Sequence, residues 1–177
     1  PFVIAAGLYA TLGIIVYSKN QKSVVNQAFT LLIWSTIFWL TFNYLADTDV
    51  DRALLWSRLT YVGSSLIAMF IWYFALLFPK REKKIPWLAH LFGVLLPAAF
   101  IILSLGTNLI VEGITQESWG TDIVPGAVNA LYPLFFLVFM VGSLVLLIRK
   151  YHVLTGIARV QTLFVIYGLL FSMITGF

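Results

Sequence analysis

The stretch Ala53-Leu-Leu-Trp-Ser-Arg-Leu-Thr-Tyr-Val-Gly-Ser-Ser-Leu-Ile-Ala-Met-Phe-Ile-Trp-Tyr-Phe-Ala-Leu-Leu-Phe78 is followed at once by Pro79. Its only charged side chain is Arg58. About 20 apolar residues in a helix cross a hydrocarbon core about 30 Å thick. Proline lacks the N–H a helix needs to continue. The stretch therefore predicts a membrane-spanning helix over 53–78, closed by Pro79.

Five more stretches of the same kind lie around it, over about 1–17, 24–44, 86–105, 126–148 and 158–177. Pro86 is placed to sit in the first turn of the fourth. Strands of a membrane barrel would be about 10 residues long with alternating polarity. These runs are continuous and longer, so helices are predicted. Composition agrees: 61% of residues are hydrophobic and 10% charged, against about 25% charged in soluble domains. The expected fold is all-α, a polytopic bundle of six transmembrane helices forming one domain over 1–177.

Basic residues orient it. Lys19 and Lys22 lie in the first loop, Lys80, Arg81, Lys83 and Lys84 in the third, and Arg149, Lys150 and Arg159 flank the fifth. The even loops carry Asp47, Asp49, Asp51, Glu112, Glu117 and Asp122, with Arg52 as their only basic residue. Cytoplasmic loops collect Lys and Arg, so the odd loops are cytoplasmic and the N-terminus is outside. Six spans starting outside end outside. A seventh span beyond Phe177 is the expected completion, and a chain opening on Pro1 reads as a segment of something longer.

The second span carries Asn26-Gln-Ala-Phe29 and Leu31-Leu-Ile-Trp34, and the third carries Trp56-Ser-Arg58-Leu-Thr-Tyr61-Val-Gly63 and ends in Phe74-Ala-Leu-Leu-Phe78-Pro79. In this order, after a short first helix and a basic loop, these features resemble the seven-helix N-terminal sensor region of bacterial and archaeal histidine kinases. The resemblance implies an input module in the prokaryotic plasma membrane that passes a signal to a cytoplasmic kinase or other output domain. It also implies a homodimer. The chain itself lacks a His-box and an ATP-binding glycine pattern.

Arg58 is the first candidate for function, because ionisable groups inside a span are expensive and face the bundle interior or water. It either snorkels to the outer interface and pairs with Asp47, Asp49 or Asp51, or meets an anionic ligand group. Asn43, Asn129, Tyr61 and Tyr132 are expected near its level, where they would line an outward-facing cavity or serve as packing glue. Trp119 sits in the longest loop, Gly106 to Pro125, which reads as a lid over that cavity or a flexible cover. Trp56, Tyr44 and Tyr132 read as one interface belt and Trp87, Tyr17 and Tyr151 as the other. Trp34, Trp39 and Trp72 are expected deeper, as core packing. Pro97 and Pro133 are expected to kink their helices. Gly168, Ser172 and Gly176 are expected to pack within the bundle or at a dimer contact.

Several function classes lose support. No cysteine is present, so there is no thiolate chemistry and no disulfide framework. His90 and His152 lack partners at metal-ligand spacing, and no cofactor is called for. The net charge of +4 resides in loops, giving no footprint for nucleic acid. A small-solute transporter is the competing reading, but no Asp, Glu or Lys lies in a span to couple ions. No nucleophile elbow exists, since Gly63-Ser-Ser65 lacks the Gly-x-Ser-x-Gly pattern. The partners expected are the lipid bilayer, a small or lipophilic ligand, and an output domain.

Overall fold

The computed structural model describes residues 2–79, 85–117 and 120–175. Six helices run through them: α1 Phe2–Lys19, α2 Val24–Thr48, α3 Ala53–Leu77, α4 Trp87–Gly106, α5 Leu131–Val153 and α6 Gly156–Thr175. Each is long and apolar enough to cross a membrane. A single 3-10 turn, Val50–Arg52, joins α2 to α3, and two strands, β1 Val111–Glu117 and β2 Gly120–Pro125, lie between α4 and α5.

α3 is the hub. It packs along α2, α4 and α5, whereas α1 packs chiefly on α2 and α6 on α5. Small residues make this possible: Ser57, Gly63, Ser65, Ala68 and Ala75 are all buried along α3. Lipid tails are as apolar as leucine, so close backbone approach and interhelical hydrogen bonds hold such bundles together. At Gly63 the approach reaches the backbone, since a Cβ there would lie 2.8 Å from Trp39 Cα. Two cores result. Ala68, Phe100, Tyr132, Phe135 and Phe139 form one, and Ala75, Met140, Leu147, Ile166 and Leu169 the other.

Most hydroxyls within the spans are satisfied internally, as a membrane demands, while Ser143 Oγ on α5 is buried without a partner among the described residues. Ser35, Thr36, Thr41, Thr60 and Thr162 each donate to the carbonyl four residues earlier. Ser23 Oγ caps α2 by accepting from the Asn26 amide at 3.3 Å. The Asn26 side chain donates to Val16 O at 2.9 Å and so ties α2 to α1.

The six-helix bundle expected from the sequence is present, with corrections. The loop after α4 contains a β-hairpin. β1 pairs antiparallel with β2 from Val111↔Pro125 to Glu117↔Gly120, with an irregularity between Val111 and Gly113. Ile110 and Val111 are fully buried in the first core, so the base of the hairpin belongs to the bundle. This base also delays α5, which begins at Leu131 and not at Gly126. The amides of Gly126 and Val128 donate to Ile110 O and Leu109 O, at 3.1 and 2.8 Å, and are thereby unavailable to a helix. Gly126 runs so close to the Asn108 and Leu109 carbonyls that a Cβ would collide with them.

Other expectations change with these boundaries. Pro133 falls in the first turn of α5, where its missing N–H costs nothing. Pro97 is buried within α4. Tyr132 is buried and belongs to no interface belt, while Trp34, expected deep, is 48% exposed on α2. Gly168 and Ser172 are exposed, with nothing within 4 Å of a Cβ built on Gly168, so they do not pack within the bundle. Gly176 lies outside the described residues.

Candidate functional site

One end of the bundle gathers Asp47, Asp49 and Asp51 together with the hairpin, and is called the acidic end below. On α3, Tyr61, Ser64 and Ser65 share a face because three- and four-residue spacing returns to the same side of a helix. Tyr132, in the first turn of α5, points at that face. Its hydroxyl lies 2.6 Å from Ser64 Oγ and 3.0 Å from Ser65 Oγ, and donates to Tyr61 O at 2.8 Å. The Tyr61 and Tyr132 rings meet edge to face with centroids 4.6 Å apart. Asn129, on the turn before α5, donates to Tyr61 Oη at 3.0 Å and to Ile110 O at 2.9 Å. The network therefore links α3, α5 and the hairpin base.

Arg58 lies one helical turn toward the acidic end from Tyr61. Its Nη2 donates to Asn108 Oδ1 and, at 3.3 Å, to Val111 O. Ser104 on α4 donates to the Arg58 carbonyl at 2.9 Å. The Nε atom is buried and has no hydrogen-bond partner among the described residues. Among the described residues no carboxylate pairs with the guanidinium. The expected ion pair with Asp47, Asp49 or Asp51 is not formed. Asp49 instead accepts from Trp56 Nε1 at 3.0 Å, and Trp56 stacks on Phe42. Arg58 turns inward because the hairpin presents acceptors there, while the aspartates sit beyond the start of α3.

The hairpin is fastened over this cluster at two points. Val111 O receives Arg58, and Thr121 Oγ1 donates to Ala46 O at 2.9 Å near the end of α2. Of the residues singled out from sequence, Arg58, Tyr61, Asn129 and Tyr132 come together. Asn43 does not join them: it is exposed on α2 and forms no hydrogen bond among the described residues. Trp119 lies outside the described residues. Asn108, Ser64, Ser65 and Ser104 complete the cluster and were not singled out. Ser64 and Ser65 follow the i, i+3, i+4 pattern of Tyr61, a signal present in the sequence, whereas Ser104 lies on α4. Asn108 carried none, because its role depends on how the hairpin begins.

Fold and site together define a polytopic helical membrane protein with a polar cluster under a strapped hairpin at one end. The chain belongs to the N-terminal 7TM region of histidine kinases, the family that matches residues 1–177. That places it in the sensory, multi-pass membrane part of such kinases, in a prokaryotic membrane, a region that is not the catalytic one. The described residues hold six of the spans. Neither the curated proteins nor the solved structures contain a match.

Proposed function

We propose that residues 1–177 form one transmembrane input domain that perceives a ligand at the acidic end and relays its presence to a cytoplasmic output domain. Arg58, Tyr61, Asn129 and Tyr132 contact the ligand or hold the groups that do. Charge sorting places this end outside, where a solute or a lipid-borne molecule arrives without crossing the membrane. The observation that carries the reading is Arg58. A cation within a spanning helix is costly, and here it is held by neutral acceptors with its Nε unpaired. Bonds between ionised donors and acceptors are roughly twice as strong as neutral ones, so an anionic group displaces Asn108 with a net gain. Binding would be felt by α3, the element that touches α2, α4 and α5. The bundle acts as an input and has no catalytic role of its own. It works as a homodimer.

Thermal unfolding of the purified protein in detergent, titrated with acetate, octanoate and inorganic phosphate, tests this. A ligand that binds only the folded state raises the midpoint as its concentration passes the dissociation constant. At least one probe raises the midpoint in the wild type, and Arg58→Ala removes the rise while leaving the unliganded midpoint nearly in place. An equal rise in Arg58→Ala sinks the site. No rise with any probe sinks the anionic ligand.

A further inference from the structure

One flank of α6 is open. The helix buries Ile166 and Leu169 in the core it shares with Met140 and Leu147 of α5. On a neighbouring face, three- and four-residue spacing aligns Gln161, Val165, Gly168 and Ser172 over about 16 Å of α6. At the opposite, basic end of the bundle, Gln161 and Val165 line a cleft of about 440 Å³ together with Val25 and Asn26 of α2 and with Phe78 and Pro79 just past α3. Further along the same face, nothing lies within 4 Å of a Cβ built on Gly168, and Ser172 is exposed. The cleft is the foot of a longer slot along α6.

The chemistry of that face suits a helix better than lipid. Val160, Tyr167 and Ile174, at heptad spacing, form an exposed apolar side of α6 fit for acyl chains. The slot face instead presents two small residues and an amide. Small residues let helix backbones approach closely, and Gln bonds across helices in membranes. The Gln161 amide forms no hydrogen bond among the described residues, and an unpaired amide is costly in an apolar medium.

Topology names the helix. The family is the N-terminal region of a kinase, so the output domain follows it in the chain. That domain is cytoplasmic, whereas α6 runs from the basic, cytoplasmic end to the acidic, outer one. An odd number of spans must therefore follow α6, and the seven of the family leave one beyond the six described. Consecutive elements are usually neighbours in space, and only the slot flank of α6 offers this span both small residues and a second wall from α2.

We infer that the seventh span docks antiparallel to α6 in the slot shared with α2, its cytoplasmic end in the cleft against Phe78 and Pro79. The chain that carries the Arg58 cluster on α3 then meets, just past the other end of that helix, the span leading to the output domain. The inference rests on family and charge sorting, and stands whether or not an anion binds at Arg58. The test uses the full chain that carries residues 1–177, with photoreactive benzoylphenylalanine placed in turn at Gln161, Ser172 and Tyr167. Irradiation in membranes and peptide mass spectrometry then identify the neighbour. Gln161 and Ser172 crosslink within one chain to the first span after residue 177, about fivefold above Tyr167. Gly168→Leu, which fills the slot, lowers both crosslinks about threefold, and Tyr167→Leu leaves them unchanged. A smaller probe guards against the bulk of the photoreactive ring: residues 1–177 hold no cysteine, so Ser172→Cys should form disulfides at helical intervals with cysteines scanned along that span. Capture of only lipid, a second copy or residues 1–177 by both probes overturns the inference. So does a yield equal to that of Tyr167, or one that Gly168→Leu leaves intact.

Discussion

The two ends of α3 each receive a cation, and the two are held in opposite ways. At the basic end, Lys150 of α5 donates from Nζ to Leu76 O at 2.7 Å and to Phe78 O at 2.9 Å. These are carbonyls that a helix C-terminus leaves without intrahelical partners, and the helix dipole is negative there. Geometry and electrostatics agree, and Lys150 fastens α5 to the end of α3. Arg58 sits in the second turn of α3, toward the end where the dipole is positive, and is met by an amide oxygen and one strand carbonyl. Its Nε has no partner among the described residues. One cation is where the fold calls for it. The other is kept where the local fields oppose it, a tension that the proposed anion would relieve.

The largest effect expected is on the clamp. Lys150→Met should cost about 3 kcal/mol, since hydrogen bonds to charged groups are worth roughly 1.5–3 and two part-buried carbonyls lose a donor. Arg58→Met should stay within about 1 kcal/mol of wild type, because losing its bonds is offset by removing an unpaired buried N–H. Denaturation by sodium dodecyl sulfate in mixed micelles measures both. If Arg58→Met proves the more damaging, the contrast between the two ends is wrong.

Next in size is Gly63→Ala, at about 2 kcal/mol, the scale of overpacking a tight contact. The added Cβ would meet Trp39 Cα, which belongs to the backbone of α2 and has no flexible end to swing away. Because Gly63 lies between the two ends, both should loosen together. Gly7→Ala is the control, with nothing within 4 Å of its Cβ. A loss that appears equally at Gly7 would point to a general intolerance of substitution and not to the α2–α3 approach.

Smaller still is Tyr132→Phe, at about 1 kcal/mol, which removes the hydroxyl shared by Ser64, Ser65 and Tyr61 O. Interhelical hydrogen bonds in membranes average about 0.6 kcal/mol, so a single deletion is not expected to unfold the bundle. Hydrogen exchange of the β1 amides should quicken in this variant, since the hydroxyl belongs to the network that reaches the hairpin base through Tyr61 and Asn129. Unchanged exchange would detach the hairpin from the network.

The helices and the charge sorting were legible because both are set locally, by apolar run length and by loop composition. Most of the cluster was legible too: Arg58 and Tyr61 share one face of a helix, and Asn129 and Tyr132 flank the start of the next. The hairpin was not. Val111, Ile114, Thr115, Thr121, Ile123 and Val124 are good strand residues, but their pairing is fixed by contacts with α2 and α3 that no window of sequence displays. The direction of Arg58 was lost with it. Without a strand carbonyl and Asn108 to turn toward, the nearby aspartates were the natural partners.

The smallest effect bears on that direction. Asn108 Oδ1 and an incoming anion compete for the same Nη2 of Arg58. If the amide is a placeholder, Asn108→Ala frees a donor and the anion binds more tightly. If the amide instead positions the guanidinium, its loss lets Arg58 swing away and binding weakens. The placeholder reading is favoured, because Val111 O and the contact of Ser104 with the Arg58 carbonyl still hold the residue. The gain should be small, about 0.5 kcal/mol, since this bond is solvent-exposed and water takes up much of the freed guanidinium donor. That corresponds to a midpoint concentration roughly twofold lower in the octanoate titration, at 1.4 kcal/mol per tenfold. A midpoint that moves upward would make Asn108 part of the grip on Arg58, and the basic-end clamp would then have a counterpart at the acidic end after all.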